Sequence, residues 1–95
     1  MLRITRDANG EVVFRVSGQL TADNVVEMDQ LLSAETKRKP IVVDCVDLNS
    51  VDCEAVRRLE KWESESIKLK NCSLYVRERI RRTRRERKSE ENLER

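Results

Sequence analysis

The fold is decided by residues 41–59, IVVDCVDLNSVDCEAVRRL. The first six of these residues form a short, β-branched run that is broken only by Asp44, which is typical of a central strand buried on both faces. Residues 47–51 are more polar and predict a loop. Asp52 then precedes an amphipathic segment, where its carboxylate can cap the first turn of a helix. The stretch therefore predicts a buried strand, a loop and a capped helix, in that order.

The helix after Asp52 is predicted from apolar residues that recur at helical spacing. Its inner stripe consists of Ala55, Val56, Leu59, Trp62 and Ser66, and its solvent-facing residues are Arg57, Arg58, Lys61 and Glu65. Because Trp62 lies on the inner stripe, we expect it in the core.

The chain before this stretch begins with a predicted β-hairpin. Two short alternating segments, residues 2–5 and 12–16, flank the pair Asn9-Gly10, which suits the positive φ angles of a tight turn. We expect Gly18 to end the second strand.

Two further elements complete the predicted order. Thr21 can cap a helix that extends to about Glu35, and Pro40 prevents its continuation. Residues 72–76 predict a last strand. The order β-β-α-β-α-β indicates an α/β fold with a mixed sheet, because strands that alternate with helices form parallel crossovers.

The composition excludes most enzyme classes. The chain has 38 charged residues among 95 and no histidine, so the usual general base and the usual metal ligand are missing. Three cysteines without Cys-x-x-Cys spacing, Cys45, Cys53 and Cys72, indicate reduced thiols in a cytoplasm. No apolar run predicts membrane insertion. We therefore expect a cytoplasmic, non-enzymatic protein with no catalytic residue, cofactor or metal.

The charges divide the chain near residue 76. Residues 1–76 contain 11 basic and 13 acidic side chains, whereas residues 77–95 contain 9 basic and 5 acidic ones. This division predicts one domain over 1–76 and a basic, charged helix over 77–95. We interpret that helix mainly as a solvated one with internal Glu–Arg pairs. The alternative is contact with nucleic acid or another anion through Arg79, Arg81, Arg82, Arg84, Arg85 and Arg87.

Residues 41–59 resemble the signature of the STAS domain, the family of bacterial anti-sigma factor antagonists and related modules. Members carry an aspartate at the end of a buried strand, eight residues before a second aspartate that opens a helix, and Asp44 and Asp52 have this spacing. Gly18-Gln19-Leu20 matches a Gly-x-Leu that the family has between its second strand and first helix. The element order agrees over residues 2–76.

Two departures from the family pattern qualify what the resemblance implies. Phospho-switched members have a serine or threonine after the second aspartate, whereas Cys53 occupies that position here. The family fold also continues through another helix, strand and helix, and only 19 residues follow Val76. We therefore expect the last strand to be missing and a sheet edge to be uncovered, which favours a homodimer or another protein partner.

The function that the resemblance implies is regulatory protein–protein interaction, with a partner such as an anti-sigma factor or kinase-like regulator. The docking surface would lie at the start of the second helix and in the loop before it. Its residues here are Asn49, Ser50, Asp52, Cys53, Glu54, Arg57 and Arg58. Since Cys53 cannot accept the phosphate, binding would be constitutive or controlled otherwise. The carboxylate of Glu54 suggests a basic partner surface.

Other interpretations stay open. The chain could be the small STAS subunit of a larger complex, such as one beside a transport ATPase. It could bind nucleic acid through its basic helix. An enzyme that uses Cys53 is disfavoured because Asp52 and Glu54 flank the thiol. Asp44, Asp47 and Asp52 could together suggest a cation site, but their spacing fits helix capping better.

Overall fold

The structure is a computed structural model that describes residues 2–36 and 38–93. Its elements in chain order are β1 Leu2–Asp7, β2 Val12–Leu20, α1 Ala22–Ser33, β3 Ile41–Val51, α2 Cys53–Ser64, β4 Lys68–Lys70 and α3 Leu74–Leu93. The four strands form one sheet in the order β1-β2-β3-β4, in which β1 is antiparallel to β2 and the other pairs are parallel. The predicted α/β class, mixed sheet and element order are confirmed.

The strand β2 is longer than the sequence predicted. Gly18 was expected to end it, but the strand continues to Leu20. Gly18 adopts a φ of 97°, and the register with β3 shifts directly after it. A glycine tolerates this backbone conformation, so the strand passes through an irregularity instead of ending there.

The strand β3 also extends further than predicted. Residues 47–51 were predicted as a loop, whereas they pair with β2 as far as the Leu20–Val51 pair. Two register shifts interrupt the ladder and disturb the alternation of side chains. This segment therefore carries exposed polar residues and resembles a loop in sequence, although its backbone is paired.

The last strand was predicted in the wrong place. Residues 72–76 were expected to form it, but β4 is the three-residue segment Lys68–Lys70. Asn71 follows with a φ of 59°, and the Val76 backbone N–H donates to Ser73 Oγ at 3.2 Å. Ser73 therefore caps the start of α3.

The core lies between one face of the sheet and the three helices. The largest fully buried side chains include Trp62, Phe14, Leu20, Met28 and Leu59. The predicted core position of Trp62 is confirmed.

The helix α3 contributes to this core. Val76 and Ile80 on α3 are 4% and 2% exposed. The predicted charged C-terminal helix is therefore present, but one side of it is packed. The boundary predicted after Val76 falls inside this helix.

Ion pairs join α3 to α2 around the apolar contact. Glu60 is 3% exposed and lies 3.4 Å from Arg84 Nε and 3.0 Å from Arg87 Nη2. Glu63 lies 2.6 Å from Arg77 Nη1 and 2.7 Å from Arg84 Nη2. These pairs connect two helices, whereas the sequence suggested pairs within one helix.

Candidate interaction surface

The predicted docking surface is organised by Asp52, which joins the starts of two helices. Its Oδ1 accepts a hydrogen bond from the Ala55 N–H at 2.9 Å, as a cap of α2 does. Its Oδ2 accepts one from the Ala22 N–H at 2.8 Å, at the start of α1. These hydrogen bonds hold the pKa of Asp52 below its usual range. Both oxygens thus accept hydrogen bonds within the fold, and Asp52 holds the starts of α1 and α2 in place at this surface.

Cys53 is exposed at the first position of α2 and contacts α3. Arg79 Nη2 lies 3.6 Å from Cys53 Sγ, and Arg79 Nη1 donates to the Val51 carbonyl. The guanidinium carbon of Arg79 also lies 5.5 Å from the centre of the Tyr75 ring. Arg79 was predicted as an anion contact on a separate helix, but the fold places it beside Cys53. No local sequence pattern predicts this contact, since the two residues are 26 positions apart.

The charged residues of α2 divide between two faces. Glu54 and Arg57 form an ion pair of 3.5 Å on the outer face, one helical turn apart. Arg58 turns toward α1 instead, where its Nη1 lies 3.2 Å from Asp29 Oδ2. Trp62 Nε1 donates to the other oxygen of Asp29 at 2.9 Å. Arg58 was predicted as solvent-facing and as a partner contact, and the structure places it half-buried between the helices.

The residues before α2 are mostly exposed. Asn49 and Ser50 are exposed at the end of β3, as expected of docking residues. Asp44 lies in the first half of β3 and is 8% exposed. Its Oδ1 accepts from the Val46 N–H at 3.1 Å and from Asn71 Nδ2 at 3.2 Å. Asp44 and Asp52 thus serve as hydrogen-bond acceptors in different parts of the fold.

The arginines of α3 also separate into groups. Arg84 and Arg87 pair with α2, and Arg81 pairs within the helix with Glu78 at 3.0 Å. Arg82 and Arg85 are exposed. The six predicted anion contacts therefore do not form one continuous surface.

A groove of about 240 Å³ lies where the start of α2 meets α3. Its lining consists of Cys53, Val56 and Arg57 from α2 and Arg79, Arg82, Thr83 and Glu86 from α3. Two predicted docking residues and two predicted anion contacts are thus brought together. From the sequence, these residues were expected in two separate sites.

A second, larger cavity of about 820 Å³ lies at the other ends of α1 and α2. Its lining includes the apolar side chains of Leu32, Ile41 and Ile67 and charged side chains of both signs, Asp29, Glu35, Arg38, Lys39 and Glu65. It shares none of the seven predicted docking residues.

The other two cysteines lie away from the docking surface. Cys45 is 3% exposed in the core, and Cys72 packs against the same cluster. The neighbouring Cys72 thiol and burial raise the pKa of Cys45 above its ordinary value. Cys45 is therefore a poor nucleophile.

Neither a metal-binding cluster nor a membrane-spanning helix is present in residues 2–36 and 38–93. These residues contain no group of three or more His, Cys, Asp or Glu side chains placed to hold a metal ion. In the same part of the chain, no helix has the length and apolar content that crossing a bilayer requires.

A family model described as STAS domain matches residues 2–88. The match covers the whole sheet, α1 and α2, and extends along α3 beyond the predicted boundary at Val76. A search of curated proteins found no match.

Proposed function

The chain belongs to the STAS domain family, and from this premise we propose that it is a non-enzymatic regulatory module that binds a protein partner through the start of α2. The observation that carries the proposal is the way Asp52 fixes this surface. One carboxylate holds the first turns of α1 and α2 together, and Asn49, Ser50 and Cys53 stand exposed around it. A rigid, exposed edge suits recognition, since little conformational entropy is lost on binding.

The docking surface in this proposal comprises Asn49, Ser50, Cys53, Glu54 and Arg57. Asp52 is left out because its carboxylate is used to cap the helices, and Arg58 is left out because it belongs to the contact between α1 and α2. The serine switch of the family cannot operate at the first position of α2, since a thiol stands there. The presence of Mg-ATP should therefore leave partner retention unchanged.

The proposal is tested by affinity purification of the full chain from nuclease-treated native extract. Retained proteins are identified by mass spectrometry, and the affinity of the purified partner is measured. Ser50→Trp adds bulk at an exposed docking position and should weaken that affinity at least tenfold. Ser33→Trp makes the same change at an exposed serine at the far end of α1, so it should bind like the wild type. Equal binding by both variants would remove the start of α2 as the docking site.

A role in nucleic-acid binding is less well supported. Four of the basic residues of α3, Arg77, Arg81, Arg84 and Arg87, are used in ion pairs within the described residues. Loss of the retained material on nuclease treatment would favour nucleic acid instead.

A further inference from the structure

We propose that the groove between α2 and α3 receives an acidic side chain from a segment of the protein partner. The inference deepens the proposed function, on which it rests, by giving the chemistry of the partner. It starts from the charges on the groove wall. The side chains that line it include three guanidinium groups, those of Arg57, Arg79 and Arg82, and one carboxylate, that of Glu86.

Several cations of α3 are already neutralised by ion pairs. The ion pairs that α3 forms among the described residues involve Arg77, Arg81, Arg84 and Arg87. Arg82 is outside this set, and its side chain is exposed at the groove. Arg79 contacts the Val51 carbonyl and Cys53 Sγ, and its charge also acts on the nearby Asp52 carboxylate. The groove lining itself carries three guanidinium groups against the single carboxylate of Glu86, so the lining is net positive.

The carboxylate of Glu54, from which the sequence predicts a basic partner, is paired with an arginine. This carboxylate lies 3.5 Å from Arg57 Nη1, and Glu54 is not among the residues that line the groove. It therefore offsets part of the charge of Arg57 from outside the groove. The positive charge of the groove comes mainly from Arg79 and Arg82 of α3, a helix that was predicted as a separate tail.

The size of the groove limits what it can hold. A volume of about 240 Å³ is below the range of roughly 300–1,000 Å³ that is usual for small-molecule sites. It can hold one Asp or Glu side chain, for which guanidinium groups provide paired N–H donors. Arg79 is held by its contacts with Val51, Tyr75 and Cys53, so part of the anion site is ordered before binding.

The occupant is a protein segment rather than a nucleic acid. A polynucleotide needs cations arranged along a path. Of the remaining arginines of α3, Arg77, Arg84 and Arg87 pair with α2 and Arg81 pairs with Glu78, which leaves Arg85 as one isolated exposed cation outside the groove. The ring of Tyr75 lies against Arg79, and the described lining of the groove includes no aromatic side chain on which a base could stack. The groove thus fits a single anionic side chain.

The test is an NMR titration of the uniformly ¹⁵N-labelled full chain with three defined probes. The first is a blocked nonapeptide, Gly-Ser-Glu-Glu-Asp-Glu-Glu-Ser-Gly. The second is the same peptide with Gln and Asn in place of Glu and Asp, and the third is a nine-nucleotide oligothymidylate. We expect the acidic peptide to shift the amide signals of Cys53, Arg57 and Thr83, and the neutral peptide to leave them unchanged.

Matched charge reversals locate the binding. Arg82→Glu should lower the affinity for the acidic peptide at least fivefold, since it reverses a charge on the groove wall. Arg85→Glu makes the same change at an exposed residue outside the groove and should alter affinity by less than twofold. Equal losses in the two variants, no shifts at millimolar peptide, or tighter binding of the oligothymidylate would each overturn the proposal.

The exposed thiol of Cys53 provides an independent measure of the local potential. Iodoacetate and iodoacetamide alkylate the same sulfur, with iodide as the leaving group, but only iodoacetate is an anion. The ratio of their rates at Cys53, followed by peptide mass spectrometry, should be several-fold higher than for glutathione and should fall in Arg82→Glu. A ratio equal to that of glutathione in both proteins would contradict a cationic groove.

Failure of this proposal is distinguishable from failure of the proposed function. If Ser50→Trp releases the purified partner and Arg82→Glu does not, the proposed docking surface stands, and the proposal that the groove binds an acidic side chain is wrong. If neither variant releases the partner, the docking surface itself is wrong.

Discussion

At the scale of single residues, Asp52 has the clearest structural role. Its two carboxylate oxygens accept backbone N–H groups from two different helices. Asp52→Ala removes both acceptors and should lower the free energy of unfolding by about 1–3 kcal/mol. Asp52→Asn keeps one good acceptor and should cost less. Urea denaturation at neutral pH measures both, and an unchanged midpoint in Asp52→Ala would contradict the double cap.

The same residue makes stability depend on pH. The hydrogen bonds from Ala55 and Ala22 lower the pKa of Asp52 in the folded state. Its contribution is therefore complete above the unfolded-state pKa, which is about 3.9, and is lost as the pH falls through the lower folded-state value. The difference in unfolding free energy between wild type and Asp52→Asn should be constant from pH 7 to 5. It should shrink below pH 4, and a difference that grows with acid would contradict this assignment.

The sequence was informative about Asp52 and uninformative about Arg79. The cap of α2 is a local feature, because Asp52 and Ala55 are three residues apart. The contacts of Arg79 with Val51 and Cys53 join residues more than 25 positions apart. Periodicity and capping rules describe neighbours along one element, so the cap that Asp52 forms on α2 could be predicted while the position of Arg79 beside Cys53 could not.

At the scale of elements, the helices α1 and α2 were predictable and the boundary between β4 and α3 was not. The segment 72–76 has the apolar and aromatic residues of a strand, whereas residues 74–76 form the first turn of α3, in which Val76 packs against the core. The strand β4 has one buried side chain, Leu69, between two exposed lysines. Three residues are too few to show an alternating pattern.

The packing of α3 on α2 should depend strongly on Ile80. Its side chain is 2% exposed, so Ile80→Ala should lower the free energy of unfolding by about 2–4 kcal/mol through lost burial and a remaining cavity. Arg85→Ala, on an exposed position of the same helix, should change it by less than about 0.5 kcal/mol. Urea unfolding compares the variants, and amide hydrogen exchange shows whether α3 loses protection first. Equal effects of the two substitutions would mean that α3 is not anchored by Ile80.

At the scale of the whole molecule, the division of charge at residue 76 does not coincide with a division of the packing. The helix α3 runs from Leu74 to Leu93 without a break, and it brings Ile80 into the core and Arg84 onto the buried Glu60. Net charge reports the composition of a segment, whereas packing depends on which faces are covered. The sequence therefore predicted the basic character of this helix, but not that Val76 and Ile80 on one side of it pack into the core.

This difference gives a prediction for a shortened chain that ends at Val76. The expected total stability of a chain of this length is about 5–14 kcal/mol, at roughly 0.05–0.15 kcal/mol per residue. Loss of Ile80 costs about 2–5 kcal/mol of this, and Glu60 also loses the arginines that compensate its buried charge. We therefore expect the shortened chain to lose cooperative unfolding and dispersed amide signals, whereas the full chain unfolds in one transition. A shortened chain with a native spectrum and a sharp transition would show instead that residues 1–76 fold alone. In that case the groove would be formed by an accessory helix docked on a complete domain.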